Sequence, residues 1–232
     1  MPVLKDDQPL GIAVEDYAKA IYAIEERTDD AVGTSALAER LGVSPASASA
    51  MVKKLDALGL VSHVPYRGVQ LTEDGRRVAL EVVRHHRLLE LFLAQELGLP
   101  WDRVHAEAEV LEHHLSEELE ARIAAKLGDP ERDPHGDPIP SAADLSVAAD
   151  EGCEPLDGLP VGARGTFVRV SDADPAMLRY LAERDIRPGD AVEVVDRQPF
   201  GGPTYARFAA AGAEPHALGG DLAAAMRVEL AR

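Results

Sequence analysis

Residues 33–58 read GTSALAERLGVSPASASAMVKKLDAL, and this stretch predicts two helices joined by a tight turn. Residues 33–35 supply a chain break and a cap for the first, short helix. Gly42 turns the chain, and Ser44 and Pro45 are an N-cap and a first-position proline that open the second helix. A short helix, a glycine turn and a second helix together predict a helix-turn-helix.

The second predicted helix has the composition of a DNA-reading helix. Its first turns are small and hydroxylic and its later turns are basic, which suits close approach to a groove with phosphate contacts at one end. Residues 60–72, LVSHVPYRGVQLT, then predict two short strands around a turn, which form a wing. The competing interpretation is that small residues only pack helices closely. The candidate DNA-contacting residues are Ser44, Pro45, Ala46, Ser47, Ser49, Lys53 and Lys54 in the helix and Arg67 at the wing tip.

Two further helices flank this motif. Apolar residues recur at helical spacing between Val14 and Glu26, with acidic residues in the first turn, where the helix dipole favours them. A long and largely apolar helix follows the wing and ends near Leu97. His86 and Glu90 lie one turn apart within it, so they can bind one metal ion together.

Residues 104–114, VHAEAEVLEHH, belong to a predicted helix that begins at Trp101 and has a metal-binding face. The donors are nitrogen and oxygen with no thiolate, which suits Mn(II), Fe(II), Co(II) or Zn(II) better than a soft metal. The alternative is that this face is only a solvated, charged surface. At about 100° per residue, the residues that share the face are His105, Glu109, Glu112 and His113.

The C-terminal half predicts a loop, a linker and a small β-domain. Residues 129–140, DPERDPHGDPIP, are too rich in proline and aspartate for a helix or a central strand. Residues 141–158 are polar and punctuated by glycine and proline, so they are predicted to be a linker. The segments GTFVRV, AVEVVDR, TYARFAA and MRVEL, with one helix at about Pro175–Glu183, predict a small, partly open β-barrel.

Composition limits the possible partners and location. The formal net charge of the 232 residues is −17, but residues 1–77 carry nine Lys or Arg and twelve Asp or Glu, so the acid lies mostly outside the N-terminal third. The single cysteine, Cys153, excludes a disulfide framework and a cysteine-based zinc site. The sequence has no long apolar run and no N-terminal signal, so we expect a soluble cytoplasmic protein without a membrane partner.

The order of these elements resembles the diphtheria toxin repressor family of metal-dependent transcription regulators. The stretches that carry this resemblance most specifically are EDYAKAIY, RHHRLLELFL, VHAEAEVLEHHLS and DPHGDPIP. Within the family, the chain is most similar to the manganese transport regulator branch, in a three-domain form. The resemblance implies a mainly α fold with small β elements: a winged helix-turn-helix domain at 1–72, a helical dimerisation and metal-binding domain at 73–140, the linker at 141–158 and an SH3-like domain at 159–232.

The resemblance also implies two metal sites. The implied primary ligands are Asp16, Glu109, Glu112 and His113. The implied ancillary ligands are His86, Glu90 and His105, to which Asp172 can add an oxygen.

Two substitutions within the implied primary site favour manganese. The iron-responsive branch has methionine and cysteine where this chain has Asp16 and Glu109, so the site is harder and suits Mn(II). Fe(II), Co(II) and Zn(II) remain possible. Three positions depart from the resemblance. Lys19 stands where two-domain manganese regulators have a glutamate ligand, Arg169 stands where the iron branch has glutamate, and Ala50 replaces a polar DNA-contacting residue.

The resemblance implies a function as well as a fold. We expect a manganese-dependent transcriptional repressor that controls metal-ion homeostasis, binds a double-stranded DNA operator as a homodimer and is not an enzyme. Metal binding is expected to order the DNA-binding domain. One alternative is an iron(II)-dependent repressor of iron uptake. The alternative from another class is a helical metalloenzyme, although no histidine here has a glutamate three residues before it and the HExxH motif is absent.

Overall fold

The computed structural model describes residues 10–28, 30–64, 66–148 and 152–231. Within these ranges, no helix has both the length and the apolar character needed to span a bilayer. The chain divides into two compact units. Unit one comprises the described residues of Met1–Leu88, Glu109–Asp129 and Pro140–Val147, and unit two comprises those of Leu89–Ala108, Pro130–Ile139 and Ala148–Arg232.

Unit one begins with the winged helix-turn-helix. Its elements are α1 (Ile12–Thr28), α2 (Thr34–Arg40), α3 (Pro45–Ala57), β1 (Val61–Val64) and β2 (Gly68–Leu71). The two strands are antiparallel and form the predicted wing. Within residues 33–35, which are predicted to cap α2, Gly33 is the N-cap and makes no side-chain hydrogen bond.

Local chemistry explains why α3 forms and which way it faces. The Ser44 side chain accepts a hydrogen bond from the Ser47 N–H, and Pro45 occupies the first turn, as the sequence predicts. Ala48, Val52 and Leu55 are buried at helical spacing and face the core of unit one. The opposite side of α3 therefore faces solvent.

The remaining helices of unit one carry or support the predicted metal ligands of this unit. They are the part of α4 (Glu73–Leu97) up to Leu88, the end of α5 (Val104–Leu111) and α6 (Glu117–Lys126). Ser116 caps α6 by accepting a hydrogen bond from the Leu119 N–H. Arg84 and His85 on α4 both bind the Glu120 carboxylate on α6, at 2.5 Å from Nε and 3.1 Å from Nε2.

The prediction of one regular helix through residues 104–114 is wrong. Helix α5 begins at Val104 rather than Trp101 and ends at Leu111, and Glu112–His114 is a 3-10 turn. A 3-10 turn rotates the chain by about 120° per residue instead of 100°. The directions expected for Glu112 and His113 from an ideal helix are therefore incorrect, and both side chains are buried.

Unit two is built on a six-stranded antiparallel sheet. Its strands are β3 (Cys153–Pro155), β4 (Arg164–Val170), β5 (Ala191–Arg197), β6 (Thr204–Phe208), β7 (His216–Leu218) and β8 (Met226–Leu230), in the order β3-β8-β4-β5-β6-β7. Helices α7 (Pro175–Ala182) and α8 (Gly220–Ala225) pack on it. Phe167 and Phe208, both fully buried, meet edge to face at 6.1 Å in its core.

The predicted linker, residues 141–158, is wrong at its C-terminal end. Cys153–Pro155 forms β3 and pairs with β8, and the next residues form a 3-10 turn that buries Leu156 completely. Strands β3 and β7 are only three residues long, which is too short for alternation of apolar and polar residues to be recognised. Helix α8 was also not predicted.

Candidate metal centre

Helix α1 supplies three charged side chains to one region of unit one. Asp16 and Lys19 are three residues apart and share a face of the helix. Glu15 belongs to the buried side, where only 1% of the residue is exposed. Charged residues at such positions need partners, because an unpaired buried charge is strongly unfavourable.

Asp16, Glu112 and His113 form a cluster of metal-ligand type. The Nε2 atom of His113 is 2.8 Å from Asp16 Oδ1 and 3.4 Å from Glu112 Oε1. Ligands that bind one ion at about 2.1 Å lie about 3 Å from each other, so these separations suit a shared ion. One nitrogen and two carboxylate oxygens are also a donor set suited to a divalent transition metal. These residues therefore fit the ion that the family resemblance implies.

Glu15 orients the histidine of this cluster and was not predicted. Its Oε2 atom is 2.6 Å from Nδ1 of His113, which leaves Nε2 directed at Asp16 and Glu112. A carboxylate behind a histidine fixes the ring and strengthens it as a ligand. The only local signal for this role is weak, namely an acidic residue adjacent to Asp16.

The surrounding carboxylates change the proton affinity of His113. Burial alone would lower its pKa, but hydrogen bonds to Asp16 and Glu15 and the charge of Glu112 outweigh burial and raise the pKa to about 10. In metal-free protein this ring is therefore protonated at neutral pH. The protonated ring stabilises the fold fully below the ordinary pKa of 6.5, and that contribution is lost as the pH rises towards 10.

Metal binding at this cluster should release a proton. A ligating imidazole must be neutral, so binding should displace about one proton from His113 at pH 8. Metal affinity should therefore fall by up to about tenfold for each pH unit by which the pH is lowered.

Calorimetry in two buffers of different ionisation enthalpy measures this proton. The measurement uses a His105→Gln background, so that His105 does not add a proton of its own. The exposed neighbour His114 provides the control, since His114→Gln should not alter the release. Metal binding without proton release would contradict the assignment of His113.

Glu109 has a different partner from the one expected. Its Oε1 atom is 2.6 Å from the Nζ atom of Lys19, and it forms a second cluster with His86 and Glu112. Glu112 is therefore common to both clusters. Three of the four expected primary ligands, Asp16, Glu112 and His113, therefore form one cluster. The fourth, Glu109, belongs to the second cluster.

His86 also takes part in this second cluster. Its Nδ1 atom is 2.5 Å from Glu112 Oε2 and 3.1 Å from Lys19 Nζ. These contacts do not test the expectation that His86 supports the ancillary site, so that expectation stays a prediction.

Unit two holds the other predicted ligands in a separate cluster. Nδ1 of His105 is 3.2 Å from Glu90 Oε1 and 3.0 Å from Asp172 Oδ2. Hydrogen bonds with Asp172 and then Glu90 raise the pKa of His105 to about 10. Asp172 lies in the chain after β4; burial raises its pKa, but the hydrogen bond with His105 and the charges of His105 and His135 together lower it below the ordinary value. These contacts support the assignment of Asp172 beside Glu90 and His105.

The DPHGDPIP loop packs next to Glu90 in unit two. Its His135 is fully buried, stacks on Trp101 and donates from Nε2 to the Trp101 carbonyl at 2.8 Å, while Nδ1 faces Glu90 Oε2 at 3.7 Å. Gly136 is required here, because a Cβ atom on it would lie 1.9 Å from the Val168 carbonyl oxygen. The loop therefore packs tightly on β4, and His135 was not anticipated from the sequence.

The predicted DNA-contacting residues lie on the solvent side of unit one. Ala46, Ser47, Lys53 and Lys54 are exposed, whereas Ser49 is only half-buried. The oxygen of Ser44 is used in capping α3, so this residue positions the helix. At the wing, Arg67 makes an exposed ion pair with Asp30 at 3.1 Å. An exposed ion pair contributes little to stability, so Arg67 can leave Asp30 and pair with a phosphate group instead.

Comparison with protein families covers most of the chain. The model described as "Iron dependent repressor, N-terminal DNA binding domain" matches residues 10–69. The model described as "Iron dependent repressor, metal binding and dimerisation domain" matches residues 72–141. A FeoA domain matches residues 154–230, which contain the sheet of unit two.

Individual relatives also match most of the chain. The iron-dependent repressor IdeR of Mycobacterium tuberculosis is 33% identical over 225 residues, which is 93% of this chain and 96% of that protein. This chain belongs to the diphtheria toxin repressor family. The diphtheria toxin repressor of Corynebacterium diphtheriae is 35% identical over 191 residues, covering 79% of this chain and 84% of that protein.

A solved structure provides the third comparison. The structure described as "Manganese-dependent transcriptional repressor complex with manganese" is 47% identical, with a TM-score of 0.85, and covers 94% of this chain and 100% of that chain. Members of the family are metal-dependent, DNA-binding transcriptional repressors and not enzymes. The alternative of a helical metalloenzyme is therefore discarded, and the predicted fold class is confirmed.

Proposed function

We propose that this chain is a manganese-responsive repressor that binds a double-stranded DNA operator as a homodimer. The ion would be held by Asp16, Glu112 and His113, and it would supply a positive charge that these ligands share. Asp16 is on α1, which packs with α2 and α3 in one core. An ion bound by Asp16 therefore fixes the DNA-reading helix relative to residues 112–113, so one orientation of that helix is favoured over others.

The observation that supports this function best is the distribution of the three ligands along the chain. Asp16 comes from the segment matched by the DNA-binding model, and Glu112 and His113 come from the segment matched by the dimerisation model. An ion bound by all three couples metal occupancy to the DNA-binding segment. Linkage then requires that operator DNA raises metal affinity by the same factor as metal raises operator affinity.

The donor chemistry favours manganese over iron. All donor atoms of the Asp16 cluster are carboxylate oxygen or imidazole nitrogen, and Mn(II), low in the affinity series, competes best at hard sites. The solved structure at 47% identity is named for manganese, whereas the relative at 33% identity is named for iron. Iron(II) is the second candidate, because the same donors also accept it.

Exposed apolar residues on unit one support a homodimer. Val110 and Leu111 at the end of α5 and Leu119 on α6 are 67%, 41% and 49% exposed. All three fall within the segment matched by the dimerisation model. A two-fold pair would bury such residues and present two copies of α3 to two half-sites of an operator.

Operator binding in the presence of different metals tests the proposed function. Operator fragments are first selected from random duplex DNA with full-length protein and Mn(II), and binding is then titrated with Mn(II), Fe(II), Co(II) and Zn(II) at fixed ionic strength. We expect Mn(II) to activate binding, with Fe(II) as the nearest competitor. Selection of the same sequences with equal affinity in the presence of a chelator would contradict a metal-dependent repressor.

The basic end of α3 should contribute phosphate contacts. Lys53→Gln combined with Lys54→Gln should weaken binding about equally for all sequences and reduce the slope of log affinity against log salt by up to about two. Titration of operator affinity between low and moderate salt measures the slope. Arg187→Gln, an exposed residue of unit two, is the control and should leave the slope unchanged. An unchanged slope in the double variant would contradict the proposed DNA face.

A further inference from the structure

The side chain of Lys19 lies at the centre of the second cluster of unit one. Its Nζ atom is 2.6 Å from Glu109 Oε1, 2.9 Å from Glu112 Oε1, 2.8 Å from Glu112 Oε2 and 3.1 Å from His86 Nδ1. Three carboxylate oxygens and one imidazole nitrogen, from three side chains, thus surround one ammonium nitrogen. The same three side chains, taken without Lys19, have the spacing of a metal site.

We propose that the Lys19 ammonium is a built-in cation that takes the place of a second metal ion at His86, Glu109 and Glu112. This inference rests on the proposed function, in which Asp16, Glu112 and His113 hold the regulatory ion. Unit one then binds one divalent ion per chain, because its adjacent cation position is covalently filled. A tethered ammonium cannot dissociate, so this position stays occupied at any metal concentration.

Burial and geometry support occupation by Lys19 over mere surface pairing. The Glu112 side chain is fully buried and that of His86 is 7% exposed, while the Lys19 side chain is 18% exposed. An ammonium has three N–H donors, and the carboxylates of Glu109 and Glu112 supply three acceptor oxygens. The Lys19–Glu112 pair is therefore hydrogen-bonded and largely shielded from water, unlike exposed ion pairs, which contribute little to stability, whereas the side chain of Glu109 is 43% exposed.

Formal charge leads to the same conclusion. Glu15, Asp16, Glu109 and Glu112 together carry four negative charges, and Lys19 with one divalent ion supplies three positive ones. A second divalent ion beside Lys19 would place it next to an ammonium in a largely buried region, where like charges repel strongly. Replacing Lys19 by glutamate would reverse the balance, since five negative charges would then suit two divalent ions.

Metal stoichiometry tests the inference independently of DNA binding. Mn(II) bound per chain is counted by elemental analysis after gel filtration, using the full-length parent, Lys19→Glu and Lys19→Met. We expect both variants to bind about one more ion per chain than the parent. Electron paramagnetic resonance should show a coupled manganese pair in Lys19→Glu but not in the parent, because Glu112 belongs to both groups of ligand type.

Each outcome of this experiment is decisive. A coupled pair in the parent, or no additional ion in either variant, would overturn the inference. A gain in Lys19→Glu alone would also overturn it, because a missing carboxylate rather than the ammonium would then exclude the second ion. Lys126→Met, which removes a lysine on α6, is the control and should leave the stoichiometry unchanged. Failure of the proposed function would appear instead as parent protein that binds operator equally well with and without Mn(II).

Discussion

Glu112→Gln should abolish the metal-dependent gain in operator affinity. Glu112 belongs both to the group with Asp16 and His113 and to the second cluster around Lys19, and its side chain is fully buried. An uncharged amide is a poor ligand for a divalent ion beside two remaining donors. The whole of the coupling, commonly a factor of about 5 to 150, should be lost.

The choice of glutamine keeps this substitution informative. The amide oxygen can still accept a hydrogen bond from Lys19, so the packing of α1 against this segment is largely retained. Operator affinity is measured with and without saturating Mn(II), and circular dichroism checks the fold. Glu107→Gln changes an exposed carboxylate on α5 and is the matched control. Retention of the full metal response in Glu112→Gln would contradict the assignment of the regulatory site.

Glu120→Ala should cause the largest loss of stability. Its carboxylate accepts hydrogen bonds from Arg84 at Nε and His85 at Nε2, and all three side chains are at most 11% exposed. Removing one partner of a buried pair leaves the other charge unpaired, which costs about 3–5 kcal/mol. In a chain of this size, such a loss lowers the melting temperature by about 10 °C.

Thermal unfolding of metal-free protein measures this effect. The control is Glu118→Ala on the same helix, where the side chain is 78% exposed and pairs with Arg122. Its effect should stay within about 0.5 kcal/mol, because exposed ion pairs contribute little. Equal, small changes for both variants would show that the Arg84–His85–Glu120 group does not stabilise the contact between α4 and α6.

The winged helix-turn-helix was predictable because its signals are local. Ser44 and Pro45 determine where α3 begins through their own hydrogen bonding and backbone geometry, and the alternation around Arg67 determines the wing. The long helix α4 and the cap at Ser116 follow from equally local patterns. In each case the residues that specify the element lie within it or next to it in sequence.

The metal-binding groups were predictable in residue type but not in arrangement. Glu112 and His113 were placed on an ideal helix, whereas a 3-10 turn at this point changes their directions. The role of Glu15 depends on His113, which is 98 residues away. No local pattern indicates that Glu15 rather than another acidic residue of α1 supports the histidine, because that choice is made by tertiary packing.

The position of Lys19 illustrates the same limit. The family resemblance singled out Lys19 as a departure at a ligand position, but only the folded chain shows that its ammonium group contacts Glu109 and Glu112. Strand β3 was missed for a related reason. It has three residues, ends in proline, and is recognisable only through its pairing with β8 at the other end of the domain.

Asp16→Ala, measured for metal content and operator affinity on the same sample, tests the central claim most directly. Asp16 is the proposed ligand on the DNA-binding segment, while Glu112 and His113 can still hold an ion without it. We expect Asp16→Ala to retain some Mn(II) at millimolar concentration and yet bind operator no better than metal-free parent. If Asp16→Ala instead gains operator affinity on addition of Mn(II) as the parent does, metal occupancy does not reach DNA through α1, and the proposed coupling is wrong.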